Sequence, residues 1–387
     1  MNSRSARTIL VCVLLLAAQS VRGQPSSAMQ AGSGRQNYAG DEACRECHTD
    51  QVESYFHTAH HLTSRLPSKE SILGSFAEGR NILNTASAGL YFRMDSKPDG
   101  FFETAVSTPQ VSSVRSERID VVIGSGRVGQ TYLYWKKDQL FQLPVSYWVD
   151  LDAWVNSPGY RDGTANFERP VVPRCLECHV TYAEASELSV STNRYKPITL
   201  VLGISCERCH GPGREHVQQA RSKAGNASII NPMKMKRDSQ MELCAQCHGG
   251  RRTPQTVPFS YVPGEPLDKY YQRDPKNIGA TADVHGNQVA LLQMSRCYQA
   301  STDMSCSTCH DVHKVQRDVA SLSERCLACH ARAKEPHKAA DKLSGACVDC
   351  HMPVQASNLI ISTSNGKRSK ALVRSHWIKI YAGTPTP

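Results

Sequence analysis

Between positions 90 and 143, β-branched and aromatic side chains dominate a series of short apolar runs. Turn-forming residues separate these runs, for example at positions 97–100 and 136–138. This pattern is typical of antiparallel strands joined by tight turns. The runs cover residues 90–94, 101–106, 118–123, 130–136 and 139–143. We therefore expect a small antiparallel β-unit, contained in a β-rich insertion at residues 67–160.

Outside this insertion, Gly, Pro and Ser interrupt nearly every segment, as at positions 211–213 and 263–264. Helices in such a sequence are expected to be brief, because glycine and proline end them after a few residues. The predicted fold class is therefore mainly α with much irregular structure, with the small antiparallel β-unit inserted into it.

The first 23 residues have the pattern of an export signal. Arg4 and Arg7 precede an apolar stretch at residues 9–18, and residues 21–23 are compatible with signal-peptidase cleavage. The apolar stretch is too short for a membrane-spanning helix, although an uncleaved anchor is the alternative interpretation. Residues 24–40 are rich in Gly, Ser and Gln and are expected to form a flexible leader. The predicted location is the periplasm, or another compartment reached by export.

Fourteen of the 16 cysteines lie in seven copies of the pattern Cys-x-x-Cys-His, numbered here as motifs 1–7 in chain order. The cysteines are Cys44, Cys47, Cys175, Cys178, Cys206, Cys209, Cys244, Cys247, Cys306, Cys309, Cys326, Cys329, Cys347 and Cys350. The histidines are His48, His179, His210, His248, His310, His330 and His351. In c-type heme attachment, the two cysteines form thioethers with one porphyrin edge and the histidine ligates the iron. The predicted cofactor is therefore heme c, in seven covalently attached copies.

Zinc binding and disulfide formation are the alternative uses of paired cysteines. Neither requires a histidine directly after every pair. Histidine makes up only 15 of 387 residues, so its presence after all seven pairs favours heme. Cys12 lies in the export signal, which leaves Cys297 as the cysteine without a motif. We interpret Cys297 as a small buried apolar residue, with a reactive or partner-linking thiol as the alternative.

The spacing of the motifs predicts the domain organisation. Motif 1 stands alone, whereas motifs 2–7 lie within residues 175–351, about thirty residues per motif. So little chain per cofactor cannot bury a separate protein core, and the hemes are expected to form the core themselves. The predicted units are a first heme segment at 41–66, the insertion at 67–160, a six-heme domain at 161–351 and a C-terminal tail at 352–387.

The second axial ligand of each iron distinguishes an electron carrier, whose irons are fully ligated, from an enzyme with an open iron. Besides the motif histidines, the chain has eight others, enough to supply a second ligand to all seven irons. We expect five of them to be iron ligands, namely His60, His216, His285, His313 and His376. His57 and His61 compete with His60, and His337 is a further candidate.

The formal net charge of +10 raises the question of a polyanionic partner. Because every heme carries two propionates, the basic residues are better explained as their counter-charges, and no nucleic-acid partner is expected. Residues 124–129 match Gly-x-Gly-x-x-Gly, but a dinucleotide site needs a helix to follow, and residues 131–135 alternate like a strand. We interpret this segment as a glycine-rich turn.

A resemblance to a known family is carried by residues 38–44 before motif 1, 58–60 after it, 209–216, 295–298, 306–313 and 347–353. In these segments the chain resembles exported multiheme c-type cytochromes of the cytochrome c-554/c-prime family. The resemblance spans most of residues 38–380, with the β-rich insertion matched only loosely. It implies electron transfer, with His60, His216 and His313 as distal ligands. The smallest family members carry four hemes, so the order of seven hemes cannot be transferred.

The predicted function is an extracytoplasmic multiheme c-type cytochrome that passes electrons along its hemes between redox partner proteins or quinol-linked donors. Association with a membrane surface is left open, and a membrane span is not expected. The alternative is an oxidoreductase acting on nitrite, hydroxylamine or a related small nitrogen or sulfur compound at one open heme, with no catalytic residue identified. The lysine-bearing motif of some nitrite reductases is absent, which favours the carrier. A polymerising heme conduit is a third hypothesis.

Overall fold

The computed structural model describes residues 35–108, 112–223, 229–274, 286–331 and 347–381. The predicted export signal and residues 24–34 of the predicted leader lie outside the described residues. The same is true of His285 and His337, two of the candidate iron ligands.

Two antiparallel sheets form the region between motifs 1 and 2. One sheet has the strand order β2-β3-β4-β5, and the other has the order β1-β6-β7-β8-β10, with β9 also paired to β8. The five runs predicted as strands overlap β3 to β8. The strands are β1 (Ser64–Arg65), β2 (Ile82–Asn84), β3 (Leu90–Lys97), β4 (Gly100–Ser107), β5 (Ser112–Arg118), β6 (Val121–Ile123), β7 (Gly129–Lys136), β8 (Gln139–Trp148), β9 (Ala153–Asn156) and β10 (Arg169–Pro170).

The facing surfaces of these sheets enclose an apolar core that contains no motif residue. Phe92 and Met94 alternate with exposed positions on β3 and are fully buried, as period-2 alternation requires. β8 is buried along most of its length, and Leu143 and Val145 contribute to the same cluster. This region therefore has its own protein core.

The helices are short and cluster around the motifs. Several end on a motif histidine or inside a motif, and α4 stops at Gly211, whose φ of 78° is readily adopted by glycine. The helices are α1 (Asp41–Arg45), α2 (Thr49–Tyr55), α3 (Pro173–Glu177), α4 (Cys206–His210), α5 (Arg214–Ser222), α6 (Arg237–His248), α7 (Gln288–Gln293), α8 (Arg296–Ala300), α9 (Val319–Leu327) and α10 (Cys347–His351).

Three two-stranded antiparallel sheets lie among and after these helices. They pair β11 (Val180–Tyr182) with β12 (Val201–Leu202), β13 (Arg252–Pro254) with β14 (Tyr271–Arg273), and β15 (Val354–Ser364) with β16 (Lys367–Arg374). The last pair packs against β9, where Asn156 Nδ2 donates to the carbonyl of Thr363 at 2.6 Å and Ser362 Oγ donates to the carbonyl of Asn156 at 2.8 Å.

The prediction of a mainly α fold is wrong. Within the residues that the structure describes, helix accounts for about 29% and strand for about 28%, with several antiparallel sheets. One reason is that most helices around the motifs extend for only one or two turns, so they add little helix. The other is that the region predicted as a tail forms the β15–β16 hairpin, whose mixed pattern of exposed and half-buried residues gives no clear period of 2.

Candidate heme centres

The motifs lie on single helical turns. In motifs 1, 5 and 6 the histidine amide donates to the carbonyl of the first cysteine at 2.9 Å, which closes one α-helical turn. Residues i and i+3 of such a turn lie on the same face. The two cysteines of a motif can therefore reach one edge of a single porphyrin, and the histidine projects from the end of the turn.

The 15 described cysteines are all free thiols. Nor do any three His, Cys, Asp or Glu side chains converge in the described residues as a zinc site would require. Cys297 is half-buried on α8, within electrostatic range of Cys309 and Cys326. Within the described residues, neither a disulfide nor a zinc site therefore uses the motif cysteines.

Three motif histidines each face a histidine from a distant part of the chain. His248 of motif 4 faces His60, with ring centres 6.1 Å apart and ring planes at 76°. The His210–His313 pair has a separation of 6.2 Å and an angle of 28°, and the His310–His376 pair has 6.2 Å and 33°. These pairs join motifs 3, 4 and 5 to three of the five expected ligands.

The separations fit an iron between the two rings. Two imidazoles that bind one metal from opposite sides through bonds of about 2.0 Å have ring centres about 6 Å apart, since a ring nitrogen lies roughly 1.1 Å from its ring centre. The separation is too large for direct ring stacking. The stacked rings of His61 and Phe56, for comparison, have centres 4.3 Å apart. The residues therefore fit bis-histidine heme iron at these three motifs.

Hydrogen bonds donated by Nδ1 orient two motif histidines. The Nδ1 atoms of His210 and His351 lie 2.8 Å and 2.9 Å from the carbonyl oxygens of Ile230 and Lys379. A carbonyl only accepts, so Nδ1 carries the proton and Nε2 is left to bind a metal. Such a bond also makes the imidazole a more basic ligand.

Burial favours the neutral form of five of the six paired imidazoles, which is the form that binds metal. Desolvation, aided by neighbouring histidines, lowers the pKa of His248 to about 4, and desolvation likewise lowers the pKa of His376 to about 4. The pKa values of His60, His210 and His310 are also lowered, in each case chiefly by desolvation.

The three histidines after motif 1 lie in different surroundings. His60 faces His248, whereas the His61 ring stacks on Phe56 with Nδ1 3.6 Å from Asp41 Oδ2, and His57 is exposed. His216 lies on α5, and both His216 and His48 of motif 1 are within electrostatic range of His210.

Neighbouring motifs are in direct contact. The amide of Cys206 in motif 3 donates to Asp41 Oδ1 on α1 at 3.0 Å. Ser305, directly before motif 5, donates to Gln240 on α6 at 2.9 Å, and the amide of Val348 in motif 7 donates to Ser323 on α9 at 3.4 Å. These contacts link motif 1 to motif 3, motif 4 to motif 5 and motif 6 to motif 7, while Leu176 of motif 2 packs in an apolar cluster with Leu133 and Leu140 of the β-unit.

Sequence reasoning missed the charged residues that lie inside the motifs. Glu207, an intervening residue of motif 3, is buried and accepts the amides of Ala39, Gly40 and Gly213 at 2.7, 2.9 and 2.7 Å. Its carboxylate therefore fastens the segment before motif 1 to motif 3. The available signal was a charged residue between the two cysteines of a motif, because a charged side chain in a buried helical turn needs hydrogen-bonding or ionic partners.

Comparison with known proteins finds similarity to cytochromes and to a sulfite reductase. The family described as cytochrome c554 and c-prime matches residues 159–211, which contain motifs 2 and 3. The dissimilatory sulfite reductase MccA of Wolinella succinogenes is 23% identical over 399 residues, covering 83% of this chain and 51% of that protein. The multiheme cytochrome MtrA of Shewanella baltica is 23% identical over 205 residues, covering 49% of this chain and 47% of that protein. The chain spans about half the length of the curated relatives it matches.

The fold is shared with a solved structure. The crystal structure of the outer cell wall cytochrome OcwA aligns with 89% of this chain and 80% of its own, with a TM-score of 0.57 and 18% sequence identity. Together with the motifs, these similarities support a multiheme c-type cytochrome that binds heme c covalently. Among the helices of the described residues, none has the length and apolar character needed to cross a bilayer.

Proposed function

We propose that the chain is an extracytoplasmic cytochrome that carries seven covalently attached hemes and passes electrons along them between redox partners. The observation that carries this proposal is the set of three histidine pairs at 6.1–6.2 Å. Irons with both axial positions filled suit outer-sphere electron transfer rather than substrate binding. Donor and acceptor are redox proteins or quinol-linked donors, and the location is the periplasm or another exported site.

The chain's residues have three tasks in this proposal. The fourteen motif cysteines hold the cofactors, the seven motif histidines are the proximal ligands, and His313, His60 and His376 are the distal ligands for motifs 3, 4 and 5. His216 and His285 complete the proposed distal set. Bound heme supplies an iron that changes oxidation state by one electron. The protein positions these irons, orients their imidazoles and adjusts their potentials.

The proposed organisation has a signal peptide at 1–23, a leader at 24–40, heme segments at 41–66 and 161–351, the β-rich insertion at 67–160 and a tail at 352–387. His376 gives the tail a function, since it faces motif 5. The export assignment is supported by the N-terminal pattern and by the similarity to a protein described as an outer cell wall cytochrome.

Optical and EPR spectra of the purified holoprotein test the ligation. We expect ferric spectra dominated by low-spin heme. The double substitution Cys326→Ala and Cys329→Ala should remove one heme and leave the remaining spectrum low-spin, because motif 6 is one attachment site among seven. A predominantly high-spin spectrum, or a double variant with the wild-type heme content, would contradict the proposal.

A second function is favoured by the similarity to a dissimilatory sulfite reductase over 83% of this chain. In that case, one heme keeps an open axial position and reduces or oxidises a small sulfur or nitrogen compound. Reductive turnover of sulfite, nitrite or hydroxylamine with a chemical electron donor distinguishes the two functions. Turnover together with a high-spin fraction near one in seven would support the enzyme, and their joint absence supports the carrier.

A further inference from the structure

Three charged side chains are buried where motifs 2, 3 and 4 meet. Arg174 lies on α3 and Glu177 is an intervening residue of motif 2, and their side chains are 11% and 2% exposed. Arg208, an intervening residue of motif 3, is 7% exposed. Charges are rarely buried to this extent without a specific partner, because removing them from water is costly.

The turns of motifs 2 and 4 face each other in a reciprocal arrangement. Cys178 Sγ lies 3.9 Å from the carbonyl oxygen of Gln246, the residue before the second cysteine of motif 4. Cys247 Sγ lies 3.9 Å from the carbonyl oxygen of Glu177, the residue before the second cysteine of motif 2. Each attachment sulfur is thus placed against the backbone of the other motif.

The two arginines cap these same carbonyls. Arg174 Nη2 donates to the carbonyl of Gln246 at 2.6 Å, and Arg208 Nη2 donates to the carbonyl of Glu177 at 2.9 Å. Arg174 Nη1 also lies 3.3 Å from Cys178 Sγ. Both guanidinium groups therefore lie directly beside the sites where motifs 2 and 4 attach their cofactors.

The two guanidinium groups at this junction are only partly paired with carboxylates. Glu177 is the carboxylate of the cluster: Oε2 lies 3.5 Å from Arg174 Nη1, and Oε1 accepts the amide of Phe259 at 2.9 Å. The Nε atoms of Arg174 and Arg208 are buried and have no hydrogen-bond acceptor in the described residues. Arg252, also buried, is within electrostatic range of Arg174, and Glu242 and Asp268 are its nearby carboxylates.

We propose that Arg174 and Arg208 form a fixed positive centre that raises the reduction potentials of the hemes at motifs 2 and 4, so that electrons collect where the three motifs meet. The inference rests on the proposed function, because the electron comes from its donor and leaves to its acceptor. Each one-electron reduction adds one negative charge, which nearby cations stabilise strongly in a low-dielectric interior. Arginine keeps its charge at all relevant pH values, so the centre is permanent.

Spectropotentiometric titration of the holoprotein tests this inference. In Arg208→Gln, which can still donate to a carbonyl, the hemes near the junction should titrate at lower potential. At a fixed potential their ratio of reduced to oxidised heme should fall about tenfold, equivalent to 59 mV for one electron. Arg208→Lys should titrate close to wild type. Arg80→Gln is the matched control, since Arg80 is 60% exposed, pairs with Asp152 in the β-unit and should leave the curve unchanged.

Glu177→Gln should shift the reduction potentials of these hemes in the opposite direction. It removes the negative charge but keeps the shape of the side chain, so the same hemes should titrate at higher potential. A heme assay on each variant separates assembly from tuning. If Arg208→Gln loses heme, Arg174→Gln and Glu177→Gln decide the question. The inference would be overturned if variants with full heme content gave titration curves that superimpose on the wild-type curve, and the proposed function would still stand. Wild-type protein without heme would overturn the proposed function itself.

Discussion

Substitution of His376 by alanine gives a direct test of distal ligation. The His376 ring centre lies 6.2 Å from that of His310, and the backbone carbonyl of His376 accepts from Ser295 Oγ at 3.2 Å. Alanine removes the imidazole but can keep this backbone contact. The heme at motif 5 would then lose its sixth ligand, while the other motifs keep theirs.

The expected change follows from the number of motifs. One heme in seven should convert from low-spin to high-spin ferric iron, which is a change of about 14% of the total heme. Burial lowers the pKa of His376 to about 4, so the wild-type imidazole is neutral and competent to ligate at pH 5 and above. The difference between variant and wild type should therefore be the same at pH 5, 6 and 7.

EPR spectroscopy of fully oxidised protein at equal heme concentration measures this fraction. His57→Ala is the matched control, because His57 is exposed and its loss should leave the spectrum unchanged. Circular dichroism and heme content establish that each variant is folded and loaded. A loaded His376→Ala protein with a wild-type spectrum would refute the assignment of His376 as an iron ligand.

Three further substitutions test the fold around the heme array. Desolvation raises the pKa of the fully buried Glu103 well above its usual range, so its carboxyl stays protonated in the folded protein but ionises in the unfolded chain. The free energy of unfolding of the wild type should therefore fall by up to about 1.4 kcal/mol per pH unit above pH 5. Glu103→Gln should remove this pH dependence, as measured by denaturant unfolding followed by circular dichroism. Gly203 has a φ of 68°, and a Cβ there would lie 2.3 Å from the carbonyl oxygen of His61, so Gly203→Ala should lower the free energy of unfolding by roughly 1–3 kcal/mol. The loss should be larger than in the control Gly79→Ala, where φ is 79° but no atom lies within 4 Å of the added Cβ. Equal losses of unfolding free energy in the two variants would contradict this steric argument. Leu143→Ala should cost about 2–5 kcal/mol of unfolding free energy and leave the heme spectra unchanged, because the β-unit core contains no motif residue; an altered spectrum would show that the two regions are coupled.

The attachment sites could be predicted because their chemistry is local. A motif cysteine and histidine belong to one helical turn, so their relation is fixed by spacing alone. The strands of the β-unit were also visible, since one-sided burial produces the alternation seen around Phe92 and Met94. The β15–β16 hairpin was missed because half-buried residues on both of its faces blur that alternation.

The pairing of distal histidines depends on long-range contacts that spacing does not encode. His60 and His61 are adjacent in sequence, yet one faces His248 and the other stacks on Phe56. The buried charges inside the motifs were missed for the same reason. Arg208 occupies a position that heme attachment leaves free, and only the fold places it against the backbone of another motif.

The intact mass of the mature exported protein tests the central claim most directly, because thioether attachment survives denaturation. The account predicts a polypeptide that lacks its export signal and carries seven heme additions, each lost singly when one pair of motif cysteines is replaced. A mass equal to that of the bare polypeptide, with its motif cysteines free, joined in disulfides or bound to zinc, would contradict the account.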